Sequence, residues 1–312
     1  MNTELLKKLC AIPSTAGDEG RMKDFILDYF AKNSQHFKVT PKVYSGAGFQ
    51  DMVIAIFGEP RTAVLAHTDT VGFTVAYKKE LYKIGNPKAK EGSLLVGEDS
   101  KGKIECTLKI EKKKSKKAKE EVFKYEASRT IEPGTNLTYA PDWSESKKYV
   151  KSAYLDNRLG VWNALELGRT LRDGALVFTT YEEHGGGGAQ FAGKFLQDNF
   201  GVQQALISDV TLLSESIKHN KGVAISMRDR GIPRRSFVNR IIEIAKENEV
   251  KYQLEVEKAG GSDGNALQDS PYAWDWCFIG PPEDNYHRPG EKVHKEDMAE
   301  MQKLYKALMI SL

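Results

Sequence analysis

The chain has 312 residues, of which 29% are charged and 40% hydrophobic, and its formal net charge at pH 7 is +3. A chain of this length can bury a sizeable core and form one large domain with a smaller second one. The nearly balanced charge argues against a dedicated nucleic-acid binder, which usually carries a strong basic excess. The three cysteines are far apart and lack the paired spacing of a zinc or redox motif, which indicates a reducing compartment.

The first thirty residues predict two helices. Acidic and basic side chains occupy residues 1–9, where a signal peptide would need a continuous apolar stretch, and no later segment approaches the length of a membrane span. We therefore expect a cytoplasmic protein without a membrane partner. The pair Ser14 and Thr15, followed by the acids Asp18 and Glu19, predicts the cap and first turn of the second helix.

Two continuous apolar runs, residues 52–57 and 63–66, predict strands buried on both faces. From about residue 77 the sequence becomes rich in lysine, and residues 104–110 alternate as in a half-buried strand. Residues 77–150 contain 18 Lys and Arg against 12 Asp and Glu, or +6, which leaves 28 against 31, or −3, for the remainder. The basic excess therefore belongs to one segment.

This segment predicts a small inserted β-rich domain at residues 76–150, between two parts of a catalytic domain at residues 1–75 and 151–312. The lysine cluster between Lys112 and Lys119 falls where a hairpin connection would expose it. A solvated loop is the simplest interpretation, and an anionic partner or a neighbouring subunit is the alternative.

Beyond residue 151, apolar runs alternate with amphipathic segments. The pattern predicts helices near residues 160–171, 189–196, 237–248 and 298–312, and strands at residues 175–181, 205–209 and 274–279. Such alternation favours an α/β fold with a mixed, largely parallel sheet sandwiched between helices.

Several potential metal ligands follow predicted strands or tight turns. Three of them stand at the carboxyl ends of strands, which is where open α/β sheets bind ligands. Each alone could be a turn or cap residue, but together they predict a metal site in which Asp156 is shared between two ions. The set is His67, Asp156, Glu183, Asp209 and His287. His294 is a rival ligand, although a capping or surface role suits it better, and His36 and His219 are expected at the surface.

Two further acids suit catalytic roles. Asp69 lies two residues from His67 and could orient that imidazole, or it could cap the following turn. The adjacent charges of Glu182 and Glu183 are costly unless a cation neutralises one of them. We therefore assign Glu183 to metal and Glu182 to the general base that accepts a proton from metal-bound water, with an exposed acidic turn as the alternative. Four glycines at residues 185–188 would permit close approach of a substrate.

The ordered motifs resemble the glutamyl aminopeptidase family of dinuclear metallopeptidases, which includes the tetrahedral aminopeptidases. The matching blocks are Ala66-His67-Thr68-Asp69-Thr70-Val71-Gly72-Phe73, Leu155-Asp156-Asn157-Arg158-Leu159-Gly160, Glu182-Glu183-His184-Gly185, Ser208-Asp209 and His287-Arg288-Pro289-Gly290-Glu291, with Gly260-Gly261-Ser262-Asp263 as a sixth. The resemblance implies an α/β sandwich that is interrupted by a small β domain between the first histidine and the bridging aspartate.

The resemblance also implies roles for the site residues. His67 and Asp209 would complete one metal site, Glu183 and His287 the other, and Asp156 would bridge them. It implies two divalent ions, zinc with cobalt or manganese as alternatives, small peptides as substrates, and a homo-oligomer. The expected reaction is hydrolysis of the N-terminal residue by a metal-bridging hydroxide.

Three departures from the family pattern affect these expectations. His184 replaces a small apolar residue and Asn157 replaces an acid, and both changes put the substrate preference in doubt. The inserted domain is shorter than is usual in the family, which puts the large tetrahedral assembly in doubt. A deacylase of acyl-amino acids and an inactive metal- or peptide-binding module remain alternatives. A glycosidase is disfavoured, because it needs carboxyl groups about 5–9.5 Å apart across a sugar bond, whereas Glu182 and Glu183 are adjacent.

Overall fold

A computed structural model describes residues 2–114 and 119–312 of the chain. The helices in this part are α1 Glu4–Cys10, α2 Gly20–Lys32, α3 Leu155–Gly168, α4 Gly188–Phe200, α5 Arg235–Glu247, α6 Asp263–Gln268 and α7 Lys295–Ser311, with short 3-10 turns at Ser34–His36, Ala47–Phe49 and Tyr77–Lys79. Among these helices, none combines the length and the apolar character required to cross a membrane.

The strands of the described residues form two sheets and a barrel. In chain order they are β1 Lys42–Tyr44, β2 Val53–Phe57, β3 Thr62–His67, β4 Gly72–Val75, β5 Glu80–Ile84, β6 Leu94–Asp99, β7 Gly102–Lys114, β8 Lys119–Glu126, β9 Asn136–Tyr139, β10 Ser144–Glu145, β11 Tyr149–Ser152, β12 Gly174–Thr179, β13 Gln204–Ser208, β14 Thr211–Leu212, β15 Val223–Arg228, β16 Tyr252–Val256, β17 Asp275–Gly280, β18 Pro282–Asp284 and β19 Glu291–His294.

The large sheet has eight strands in the order β1-β2-β12-β3-β13-β17-β15-β16. Its centre, β12-β3-β13-β17, is parallel throughout. The pairs β1-β2, β2-β12 and β15-β17 are antiparallel, and β15-β16 is parallel. The predicted mixed α/β fold is confirmed.

Alternate residues of each central strand enter different hydrophobic cores. In β3, Val64 and Ala66 join the core that contains α1, α2, α3, α5 and α7, whereas Ala63 and Leu65 join the core that contains α4 and α6. Helices therefore cover both faces of the sheet. This explains why the strand is a continuous apolar run, because a strand with two buried faces has no solvent side for polar residues.

Six strands close into a barrel in the order β4-β5-β8-β7-β6-β9. In β7 the side chains of Ile104, Cys106 and Leu108 are buried and Glu105 between them is exposed, as a period of two requires. Along the chain the barrel follows the turn after β3 and precedes α3. The ends of the lysine cluster extend the β7-β8 hairpin, in which Lys112 pairs with Glu121, while residues 115–118 lie outside the described part of the chain.

A smaller sheet, β10-β11-β19-β18-β14, links the remaining parts of the candidate site. Strands β18 and β19 form a hairpin whose connection contains His287. Strand β11 pairs with β19, placing Ser152 opposite Glu291, and α3 begins three residues after Ser152. This pairing brings the start of α3 close to the hairpin connection, although 131 positions separate Asp156 from His287.

Two local predictions were wrong. Helix α2 begins at Gly20 after Glu19, and no side chain caps it. Ser14 instead donates from Oγ to the carbonyl of Thr68 at 2.7 Å, so it holds the N-terminal segment against the turn after β3. Helix α3 begins at residue 155 rather than near residue 160, which places Asp156 in its first turn.

Candidate metal centre

Three neighbouring strands of the large sheet deliver candidate ligands to one edge. His67 is the last residue of β3, and Asp209 directly follows β13. Glu183 lies in the turn between β12 and α4. Because β3 lies between β12 and β13 and is parallel to both, these residues emerge side by side at the carboxyl edge of the sheet.

Asp156 reaches this edge from the first turn of α3. The backbone angles of Asp156 and Asn157 are not helical, and the peptide bond between them is cis. One carboxylate oxygen of Asp156, Oδ1, lies 3.2 Å from His67 Nε2, and the other, Oδ2, lies 3.3 Å from His287 Nε2. One side chain therefore faces both histidines.

The five predicted ligands converge as two groups that share Asp156. The first group is His67, Asp156 and Asp209, the second is Asp156, Glu183 and His287, and within each group the ligand atoms lie within 4.8 Å of one another. His67 Nε2 is 3.6 Å from Asp209 Oδ2, and His287 Nε2 is 3.1 Å from Glu183 Oε1. These separations leave each set of donor atoms close enough to contact a common cation.

Both imidazole rings are oriented through Nδ1. His67 Nδ1 lies 3.2 Å from the backbone carbonyl of Asp69 and 3.5 Å from its Oδ1, and His287 Nδ1 lies 3.1 Å from the carbonyl of Asn86. A ring that donates from Nδ1 presents the lone pair of Nε2 to the other side, which is the tautomer a metal ligand needs. In both rings that other side faces Asp156.

Asp69 also organises the turn that carries both glutamates. Its Oδ1 accepts a hydrogen bond from the backbone N–H of Glu182 at 3.0 Å, and its Oδ2 accepts one from Glu183 at 2.8 Å. Its side chain is fully buried. One carboxylate therefore fixes the direction of His67 and the backbone of the turn on the neighbouring strand.

The donor set suits a divalent cation. Burial alone would lower the pKa of His67, but the carboxylates of Asp209 and Asp156 raise it well above its ordinary value. Burial likewise opposes the effect of Asp156 and Glu183 on His287, yet those acids raise its pKa to about 11. A buried acid-rich cluster with imidazole donors is a chemistry that zinc, cobalt or manganese can satisfy.

Glu182 lies beside the ligands in a cavity of about 510 Å³. All five candidate ligands line the same cavity. Burial raises the pKa of Glu182 well above its ordinary value, and Glu183 adds to this effect while His67 opposes it. The cavity therefore contains both the convergent donors and a carboxyl group that is partly withdrawn from solvent.

The remaining histidines lie away from the two ligand groups. His294 caps α7, where its Nδ1 accepts a hydrogen bond from Glu296 N at 3.2 Å. His219 is not the surface residue that the sequence suggested, because it is partly buried against Tyr149 with ring centroids 5.5 Å apart. Burial lowers the pKa of His219 to about 4. His36 is exposed, as predicted.

The two unusual motif residues make structural contacts. His184 Nδ1 accepts a hydrogen bond from the backbone N–H of Gly85 at 3.0 Å, so it links the glutamate turn to the end of β5. Asn157 is buried, and its Nδ2 donates to the carbonyl of Ser208 at 2.9 Å. It thereby ties the start of α3 to the end of β13, next to Asp209.

Glu291 is a further residue of the candidate site, which the pattern of potential metal ligands alone did not reveal. Its Oε1 accepts from the backbone N–H of His287 at 2.9 Å, and its Oε2 accepts from that of Asp156 at 3.1 Å. It is the last residue of the motif that begins at His287, so the sequence contained a positional signal. Its contact with Asp156, which lies 135 positions earlier in the chain, could be known only from the fold.

Sequence comparisons with known proteins match this chain to aminopeptidases. The sequence model of the M42 glutamyl aminopeptidase family matches residues 103–304. A curated protein of Acetivibrio thermocellus, named "Putative aminopeptidase", is 26% identical over 332 residues, which cover 96% of this chain and 96% of that protein.

Solved aminopeptidase structures share the fold. Aminopeptidase APDkam598 from the archaeon Desulfurococcus kamchatkensis superposes with a TM-score of 0.84 at 20% identity, over 98% of this chain and 93% of that one. The TET1 peptidase of Pyrococcus horikoshii, which can assemble into a tetrahedron or a large octahedral shell, superposes with a TM-score of 0.80 at 23% identity over 99% of each chain.

Proposed function

The chain belongs to the M42 glutamyl aminopeptidase family and is a metal-dependent aminopeptidase, and we propose that it removes N-terminal residues from small peptides at a centre of two divalent ions. The observation that carries the dinuclear proposal is the position of Asp156 between His67 and His287. A carboxylate whose two oxygens face two separate donor groups is suited to bridging a pair of cations.

We assign the ligands by the two groups in which they converge. His67 and Asp209 hold one ion, Glu183 and His287 hold the other, and Asp156 contacts both. When bound, the ions lower the pKa of a water molecule and polarise the peptide carbonyl. The donor types are compatible with zinc as well as cobalt or manganese, and we propose zinc as the first choice.

Glu182 is the proposed general base. Its carboxyl group lines the cavity next to the ligands, and its backbone is fixed by Asp69. It takes a proton from the attacking water and then gives it to the leaving amine. A carboxyl group with a raised pKa suits this exchange, because it is a stronger base than an ordinary carboxylate.

Asp69 is the proposed positioning residue. It contacts the Nδ1 side of His67 and accepts both backbone hydrogen bonds of the glutamate turn. A single buried carboxylate in this position aligns one ligand of each metal group and the general base. Through these contacts Asp69 keeps His67, Glu182 and Glu183 in position during turnover. It takes no direct part in proton transfer.

We also propose that residues 76–150 form an inserted domain within a catalytic domain made of residues 1–75 and 151–312. The closed barrel, whose strands lie between Gly72 and Tyr139, supports an inserted body of nearly that extent. The eight-stranded sheet between its two helical cores would be the catalytic α/β sandwich. Homo-oligomerisation is a further proposal, supported by the shells that the Pyrococcus horikoshii relative forms.

An activity assay on the purified chain tests the proposed reaction. The protein is loaded with zinc, cobalt or manganese and given aminoacyl anilides in parallel with acyl-amino acids. We expect release of aniline from free aminoacyl substrates and no hydrolysis of the acylated amino acids. The reverse preference would indicate a deacylase, and metal binding without hydrolysis of either class would indicate an inactive binding module.

A further inference from the structure

We propose that the cavity beside the candidate metal centre selects a peptide whose N-terminal side chain is cationic, namely lysine or arginine. The proposal rests on the proposed aminopeptidase function, because it concerns the side chain of the residue that is released. It would distinguish this chain from an enzyme that prefers glutamyl substrates.

The cavity that contains the candidate ligands extends to a second acidic region. Asp229, Glu255 and Glu257 line it together with the metal-centre residues. Asp229 is 8% exposed and Glu255 is 3% exposed, so these carboxyl groups are largely withdrawn from solvent. A substrate held at the metal centre can therefore extend its first side chain towards these acids within the same enclosed space.

Hydrogen bonds hold two of these acids in place. Thr211, two residues after Asp209, donates from Oγ1 to Glu255 Oε1. Asp229 directly follows β15, and its Oδ1 accepts from Gly231 N at 2.5 Å and from Asn265 Nδ2 at 3.1 Å. These three hydrogen bonds use only Oε1 of Glu255 and Oδ1 of Asp229.

The described residues provide no cation for these acids. No ion pair in the described ranges joins Asp229, Glu255 or Glu257 to a lysine or arginine, and neither residue type lines the cavity there. A glutamyl side chain would meet like charges, whereas an ammonium or guanidinium group would supply the missing positive charge.

The same cavity is also lined by apolar side chains, among them Val210, Leu212 and Phe278. Lysine and arginine combine a long aliphatic stem with a charged end, so they can contact such walls while the charge reaches the acids. A short polar side chain would fill less of this space. The cavity is therefore complementary to both parts of a long basic residue.

A nearby arginine defines the competing interpretation. Arg230 is exposed and lines an adjoining cavity of about 300 Å³, which shares Glu182 and Gly261 with the first and also contains Asp263 and Asp269. If the first side chain of the substrate entered that cavity instead, Arg230 would favour an acidic residue. A comparison of substrates of opposite charge therefore decides between the two cavities.

The first experiment compares anilides of lysine, norleucine and glutamate on the metal-loaded full chain. Norleucine has the lysine side chain without its terminal ammonium group, so the ratio of the two kcat/KM values isolates the charge. We expect lysine to exceed norleucine at least about tenfold, with glutamate the poorest, because one buried charge-assisted contact contributes about that much. Equal values for lysine and norleucine, or a preference for glutamate that Arg230→Ala abolishes, would overturn the proposal.

Two variants test which acids of the cavity recognise the positive charge of the substrate. Asp229→Asn and Glu257→Gln should each reduce the lysine-to-norleucine ratio at least about threefold, because each removes one negative charge from the cavity wall. Glu257 is only half-buried, so its variant stays informative if Asp229→Asn folds poorly. Glu215→Gln, at an exposed acid that does not line the cavity, is the matched control and should leave the ratio unchanged. An unchanged ratio in both cavity variants contradicts the proposal.

A binding measurement separates failure of this proposal from failure of the proposed function. Calorimetric titration of the metal-loaded chain with lysinamide and norleucinamide needs no turnover. Absence of hydrolysis on every substrate would refute the aminopeptidase reaction, and tighter binding of lysinamide that Glu257→Gln weakens would still support the cationic pocket. Equal binding of the two amides would refute the pocket itself.

Discussion

Asp69 accepts a hydrogen bond through Oδ2 from the backbone N–H of Glu183 at 2.8 Å, linking the end of β3 to the turn that follows β12. Its other oxygen accepts from Glu182. The residue therefore couples the position of a metal ligand to that of the general base. A side chain of equal size that offers only one acceptor oxygen would break this coupling.

Asp69→Asn should reduce kcat at least about tenfold and weaken metal binding by about 10–100-fold. The asparagine Nδ2 cannot accept a hydrogen bond, so one backbone N–H of the glutamate turn loses its partner. Steady-state kinetics at saturating metal and a metal titration measure the two effects. Asp24→Asn, at an exposed acid of α2, is the control, and equal behaviour of both variants would exclude a positioning role for Asp69.

Glu182→Gln should retain the metals and lose hydrolysis by about two to four orders of magnitude, the usual contribution of a positioned general base. The amide is similar in size to the carboxyl group but cannot accept the proton of the attacking water. Metal content by mass spectrometry and kcat on an aminoacyl anilide are the required measurements. Near-normal turnover would exclude Glu182 as the base.

Metal binding should release protons and strengthen as the pH rises. The neighbouring acids raise the pKa values of His67 and His287, the latter to about 11, so in the metal-free protein these rings bind a second proton more readily than an ordinary histidine does. A cation must displace those protons, and a higher pH favours their release. Calorimetry in buffers of different ionisation enthalpy should show a net release of protons as the metal binds. Affinity that does not change between about pH 6 and pH 8 would contradict this account.

Glu291→Gln should weaken metal binding by about 10–100-fold while the protein stays folded. Each oxygen of Glu291 accepts a backbone hydrogen bond, one from His287 and one from Asp156, and a glutamine can serve only one of them. Metal titration followed by circular dichroism separates ligand positioning from unfolding. The exposed Glu296→Gln is the control. A variant with normal affinity would mean that the hairpin alone fixes His287.

The parts of the fold that were predictable have a strong hydrophobic pattern. Strands β2 and β3 are continuous apolar runs, and the alternation of β7 shows which of its residues are buried. The apolar and alternating patterns did not reveal β15 or β16. They also did not reveal the five-stranded sheet, whose strands all have only two to four residues and mostly pair with distant segments. Short strands carry too few residues to show a period.

The candidate site was predictable as a set of residues and not as an arrangement. His67 and Asp209 stand at strand ends, which the apolar runs before them made visible. The hydrogen bonds from the glutamate turn to Asp69, and the contact of Glu291 with Asp156, join segments more than one hundred positions apart. Such contacts depend on strand order, which no local pattern contains.

The most direct test of the central claim is the metal content of Asp156→Ala. Asp156 faces His67 through one oxygen and His287 through the other, so a bridging carboxylate predicts that both ions are lost or weakened together. Mass spectrometry of the folded variant, titrated with zinc beside the unchanged protein, counts the ions that remain. We expect two ions per chain in the unchanged protein and none at matched zinc in the variant. Loss of one ion alone would contradict the bridging role of Asp156.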